Sequence, residues 1–114
     1  MIKATLLFIV TVTLSSISGN AQKNSGPAQV TLQNNTQYDL CLYVDNENNL
    51  ACGPASGSGG ICVASVESGS HVFIVATVGG KISASTDPVD LNSGDSKIIT
   101  VAIGNDGQLM LSIN

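Results

Sequence analysis

The 114-residue chain has no tryptophan and no arginine, a single histidine, two tyrosines and two phenylalanines. Charged residues make up only 11% of it, about half the usual share of a globular domain. Each scarcity excludes something. Four lysines against eight acids give a formal net charge of −4, which leaves no basic surface for nucleic acid. The lone histidine, His71, confines every histidine-dependent mechanism to one position. With no C-x-x-C spacing beside it, it cannot complete a familiar zinc set. The glycine-rich stretch carries no G-K-[ST], so it is not a phosphate loop. Three cysteines are too few for a disulfide-dense scaffold. At 43% apolar, however, the chain is too hydrophobic to be intrinsically disordered. No cofactor or metal site is expected.

The N-terminus reads as an export label. Lys3 provides a positive start, Leu6 to Val10 with Val12 and Leu14 an apolar stretch, and Gly19-Asn20-Ala21 a small-residue cleavage site. The apolar run is interrupted by Thr11, Thr13, Ser15 and Ser16, and it is shorter than the roughly 20 residues of a membrane span. We therefore expect a cleaved signal peptide over 1–21, a flexible lead over 22–27 and one domain over 28–114. No stable membrane span should remain after cleavage. Removing Lys3 with the signal leaves three lysines against the same eight acids, a net charge of −5. A secreted or periplasmic location follows.

Beyond the lead, apolar residues recur with period two, the mark of half-buried strands. Val30 and Leu32 alternate with polar neighbours, as do Leu40, Leu42 and Val44. Further strands are expected over Ile61–Val66, His71–Val78, Lys81–Thr86, Lys97–Ile103 and Gln108–Ile113. Turn chemistry separates them: Asp45-Asn46-Glu47-Asn48-Asn49, Gly79-Gly80, Asn92-Ser93-Gly94-Asp95 and Asn105-Asp106-Gly107. No apolar run repeats with helical spacing. About seven short strands so punctuated predict an all-β fold, a small antiparallel β-sandwich of Ig-like or PEGA-like type.

Cys41, Cys52 and Cys62 allow one disulfide and one remainder. Closing the Cys52–Cys62 segment would restrict an otherwise floppy chain by roughly 2–3 kcal/mol, so that pairing is expected. Cys41–Cys62 and Cys41–Cys52 are the alternatives. The remaining Cys41 is then either a buried strand thiol or the link of a disulfide-bonded dimer. The bracketed residues Gly53, Pro54, Ser56, Gly57, Ser58, Gly59 and Gly60 read as an exposed flexible loop, the usual place for binding in a β-sandwich.

No nucleophile motif accompanies His71, so no catalytic residue is expected. Asp45, Glu47 and Asn49 resemble the opening of a calcium loop, but the sixth position is Leu50 and the twelfth Ser56. A solvated hairpin turn fits better. Asn34-Asn35-Thr36 matches a glycosylation acceptor.

Leu42-Tyr43-Val44-Asp45-Asn46, then Glu67 to Val75, Gly79-Gly80 and Val89-Asp90-Leu91 resemble PEGA-type modules. These are small extracytoplasmic β-sandwiches akin to carboxypeptidase-regulatory-like domains. The Pro-Glu-Gly-Ala run of that family is absent, and the cysteine-bracketed loop is an addition. The resemblance implies binding or structural duty at the cell envelope and supplies no catalytic residues. The expected function is thus a non-enzymatic module binding a protein or glycan there. The alternative is a self-assembling subunit of a surface fibre or extracellular matrix, since Ile98–Ile103 and Leu109–Ile113 are apolar and uncharged.

Overall fold

The computed structural model describes residues 26–114. The signal-peptide expectation over 1–21 and most of the lead lie outside the described residues. Ten strands form, and no helix occurs among the described residues. They are β1 (Pro27–Asn34), β2 (Leu40–Val44), β3 (Leu50–Ala55), β4 (Ile61–Glu67) and β5 (Gly69–His71), followed by β6 (Phe73–Thr77), β7 (Ser83–Ser85), β8 (Val89–Leu91), β9 (Ser96–Ile103) and β10 (Leu109–Ile113).

Two four-stranded sheets face each other. The first has the order β10-β9-β1-β4 and the second β3-β2-β6-β7, with β5 and β8 pairing separately. Alternation decides which side chains go inside. From the first sheet come Val30, Leu32, Ile99 and Val101; from the second come Leu40, Leu42, Phe73 and Val75, all at most 1% exposed. Phe73 is the largest of these. Each such side chain contributes roughly 1.5–3 kcal/mol on leaving water. The interior is aliphatic, as the shortage of aromatics requires.

Several details depart from the sequence expectation. Strands number ten instead of seven, because short pairings such as β5–β8 carry no apolar alternation. β1 runs parallel to β9, with Thr31 opposite Ile98, so the first sheet is mixed and not purely antiparallel. The expected strand over His71–Val78 is broken at Val72, whose N–H donates to Asp45 Oδ1 at 3.1 Å while its carbonyl accepts from the Asp45 N–H at 2.7 Å. The turn residue Asp45, at φ 69°, takes Val72 out of the ladder.

The first half of the glycine-rich segment is a strand and not a loop. Gly53 and Pro54 belong to β3, where the register slips between Leu40↔Ala55 and Leu42↔Cys52. The slip is a bulge that sets two residues opposite Cys41. A β-carbon on Gly53 would stand 2.9 Å from Cys41 Cα, and its φ of 130° also demands glycine.

Candidate functional site

The cysteines resolve as the sequence led us to expect. Cys52 and Cys62 form a disulfide, with Cα atoms 6.0 Å apart, and Cys41 remains a free thiol. The bond ties edge strand β3 of one sheet to edge strand β4 of the other, closing that side of the sandwich. Cys41 is half-buried on the outer face of the second sheet, beneath the Gly53 bulge.

What remains of the loop, Ser56 to Gly60, is well anchored. Its organiser is Asn34, the last residue of β1 and fully buried. The Asn34 side-chain amide donates to the carbonyls of Tyr38, Ala55 and Ser56 at 2.6, 2.9 and 3.1 Å. Its Oδ1 accepts from the Thr36 N–H and hydroxyl at 2.9 and 2.7 Å. The loop backbone replies. Ser58 N–H donates to the Thr36 carbonyl at 2.6 Å and Gly59 N–H to the Asn34 carbonyl at 2.7 Å. Gly57 is needed for close approach, since a β-carbon there would lie 2.7 Å from the Gln37 carbonyl group. The expected flexible loop is therefore a preformed one. An inward-turned Asn34 also has no room for a glycan in the folded protein, so the acceptor motif serves structure. Sequence reasoning missed this role; a buried network needs several backbone carbonyls whose meeting is a tertiary event.

His71 and Asp45 meet at the end of the sandwich. His71 Nδ1 lies 2.9 Å from Asp45 Oδ2, and Nε2 lies 2.8 Å from the Glu67 carbonyl. Carboxylate and carbonyl oxygens only accept hydrogen bonds, so both contacts are satisfied together only by the doubly protonated ring. The Asp45 hydrogen bond accordingly holds the His71 pKa above its ordinary value. The same bond, with the Val72 N–H second, holds Asp45 below the usual carboxylate range. A groove of about 380 Å³ runs beside the pair, lined also by Asn49, Leu50, Ser65 and Glu67. Both imidazole nitrogens are occupied within the fold, which makes His71 a clamp between the end of β2 and the β4–β5 corner. Two of the segments that resemble PEGA-type modules, Leu42–Asn46 and Glu67–Val75, are thus brought together.

The Asp45–Asn49 turn is likewise engaged with itself. Asn49 Nδ2 donates to the Val44 carbonyl at 3.1 Å, and Asn48 N–H to Asn46 Oδ1 at 2.8 Å. Among the described residues no three His, Cys, Asp or Glu side chains cluster as a metal set.

The remaining feature is a surface. The outer face of the first sheet is built from Gln29, Thr31 and Gln33 of β1 with the outward residues of β4, β9 and β10. One row across it reads Val63, Thr31, Ile98; the next reads Ile61, Gln33, Thr100, Ser112. Ile61 is 61% exposed, Val63 49%, Ile98 41% and Met110 59%. Among the described residues the strands of this face contribute one outward charged side chain, Glu67 at its corner, with Asp95 at the end beside β9. A shallow depression of about 510 Å³ crosses one end, lined by Pro27, Gln29, Val63, Ser65, Asp95 and Ser96. At the other end, Ile61 leads directly into the anchored loop. A protein with eight acids thus presents one broad sheet face of low charge, continuous with a hydrogen-bonded loop whose Gly57 N–H donates to the Asp39 carboxylate at 3.1 Å.

No protein-family model matches the chain, and a comparison with curated proteins finds no match. Among the described residues no helix is long and apolar enough to cross a membrane.

Proposed function

We propose that this protein is a non-enzymatic extracytoplasmic β-sandwich module that binds an uncharged protein or glycan surface at the cell envelope. The observation that carries the reading is the sheet face of Ile61, Val63, Thr31 and Ile98. Exposed apolar side chains gathered on one face and interleaved with hydroxyl and amide groups mark interaction sites more often than chance exposure does. The anchored Ser56–Gly60 loop extends this face with backbone groups already fixed, which lowers the ordering cost of binding. The Cys52–Cys62 bond accords with an oxidising compartment, and the resemblance to PEGA-type modules points the same way. The His71 clamp, with both nitrogens committed, supports the non-enzymatic reading.

The test is a glycan array together with affinity capture from envelope fractions, using the protein and its Val63→Lys/Ile98→Lys variant. Retention by wild type and loss by the variant supports the reading. Equal behaviour of the two, or capture of nothing, contradicts it. Free Cys41 offers such a module a disulfide-linked dimer, checked by a doubled mass in non-reducing electrophoresis that disappears in Cys41→Ser. The alternative reading, a self-assembling subunit of a surface fibre or matrix, would need two different open edges on one molecule that pair with each other.

A further inference from the structure

Four strands lie at the edges of the two four-stranded sheets, and three are guarded. β3 is bulged at Gly53–Pro54, where proline lacks an N–H. β4 is tied to β3 by the disulfide and packs against it. β7 has three residues and runs into Asp87-Pro88. β10 packs against β7 but carries no crosslink of its own, and its five residues, Leu-Met-Leu-Ser-Ile, contain no charge, no proline and no bulge. Natural sheets seldom leave such an edge bare.

The hydrogen-bond phase of β10 shows what that edge offers. Asn114 and Ile98 exchange N–H···O bonds at 3.0 and 3.1 Å, and Gly104 N–H donates to the Gln108 carbonyl at 2.8 Å. Residues 108, 110, 112 and 114 therefore face β9. In an antiparallel pair the intervening residues turn their backbone groups the other way. Leu109, Leu111 and Ile113 thus aim their N–H and C=O groups off the edge, with no partner among the described residues. Their side chains point towards the interior, yet Leu111 and Ile113 are only partly buried. They line a groove of about 390 Å³ between β10 and the Ala84–Val89 segment.

We infer that β10 is the seam of a symmetric dimer, in which it pairs antiparallel with β10 of a second copy, Leu111 opposite Leu111. That register is self-complementary, as a two-fold contact must be. Leu109 then stands opposite Ile113 of the other copy, and Met110 opposite Ser112. Up to six backbone hydrogen bonds form from the three outward residues of each copy. No charged side chain of one β10 meets another across the paired strands, which matters for two acidic molecules. The partly exposed Leu111 and Ile113 become covered by their counterparts. The first sheet becomes eight strands wide, doubling the low-charge face. An isologous pairing closes on itself and yields a dimer instead of a fibre. Such a seam is small beside the roughly 800 Å² per partner of a standard interface, so the dimer dissociates on dilution.

Sedimentation velocity of the purified, oxidised protein over a concentration series tests this, with hydrogen exchange at the Leu111 amide. The expected result is a mass that doubles with concentration and a Leu111 amide that becomes protected in step. Met110→Lys/Ser112→Lys, at two exposed positions facing away from the core, sets lysines opposite lysines across the seam. It should remain monomeric, with the Leu111 amide exchanging freely and an unchanged circular dichroism spectrum. A protein that stays monomeric to millimolar concentration overturns the inference. So does a dimer that survives in the variant with Leu111 still unprotected. The ligand-binding reading is separable: Ile61→Lys should lose ligand and keep the dimer.

Discussion

The side-chain amide of Asn34 donates to the carbonyl of Ala55 at 2.9 Å, across twenty-one positions of sequence. Through this bond and its companions the end of β1 holds the exit of β3 and the start of the loop. Replacing Asn34 by Ala strands buried carbonyls, at about 1–3 kcal/mol for each group left unpaired. Asn34→Ala should lower unfolding stability by about 2–4 kcal/mol, read from urea midpoints at unchanged slope. Asn34→Asp should be at least as damaging, because a carboxylate would face three carbonyl oxygens.

The Cys52–Cys62 bond closes one side of the sandwich as well as a loop. The double Cys52→Ala/Cys62→Ala variant should lose about 2–4 kcal/mol. Thermal unfolding in the presence and absence of reductant checks it: wild type should move towards the variant when reduced, and the variant should not move.

The Asp45–His71 pair gives stability a pH profile. His71 has its folded pKa raised, so its contribution is complete below the ordinary histidine value of about 6.5 and fades as pH rises through the higher folded value. Asp45 has its folded pKa lowered, so its contribution is present above about 3.9 and fades as pH falls through the lower folded value. The clamp is therefore strongest between roughly pH 4 and 6.5. Asp45 is about half exposed, and solvent screening limits the coupling to at most about 1 kcal/mol. A double-mutant cycle of Asp45→Asn and His71→Ala at pH 5.5 and at pH 9 should show that coupling at the lower pH only. The His71 titration followed by NMR should show its midpoint above the unfolded value.

Much of this was readable from the chain because period-two patterning is a local property. Leu40, Leu42 and Val44 fall inside as their spacing requires, and of the three pairings open to the cysteines the one favoured by the short glycine-rich span, Cys52–Cys62, is the one that forms. What the chain concealed depends on meetings between distant segments. The β3 strand hides in Leu50-Ala-Cys-Gly-Pro-Ala, a composition that reads as loop, because β2 supplies the ladder that holds it. The role of Asn34 hides behind a glycosylation motif. The parallel β1–β9 pairing, which sets Thr31 beside Ile98, builds the candidate face, and no local signal announces it.

The most direct test of the central claim compares two lysine pairs for retention on envelope material. Val63→Lys/Ile98→Lys charges the face formed by the first sheet, and Ser83→Lys/Ser85→Lys charges an exposed edge of the second. The surface reading predicts at least a tenfold weaker binding for the first pair, about 1.4 kcal/mol or more, and binding within twofold of wild type for the second. Undiminished binding by the Val63/Ile98 variant would contradict it.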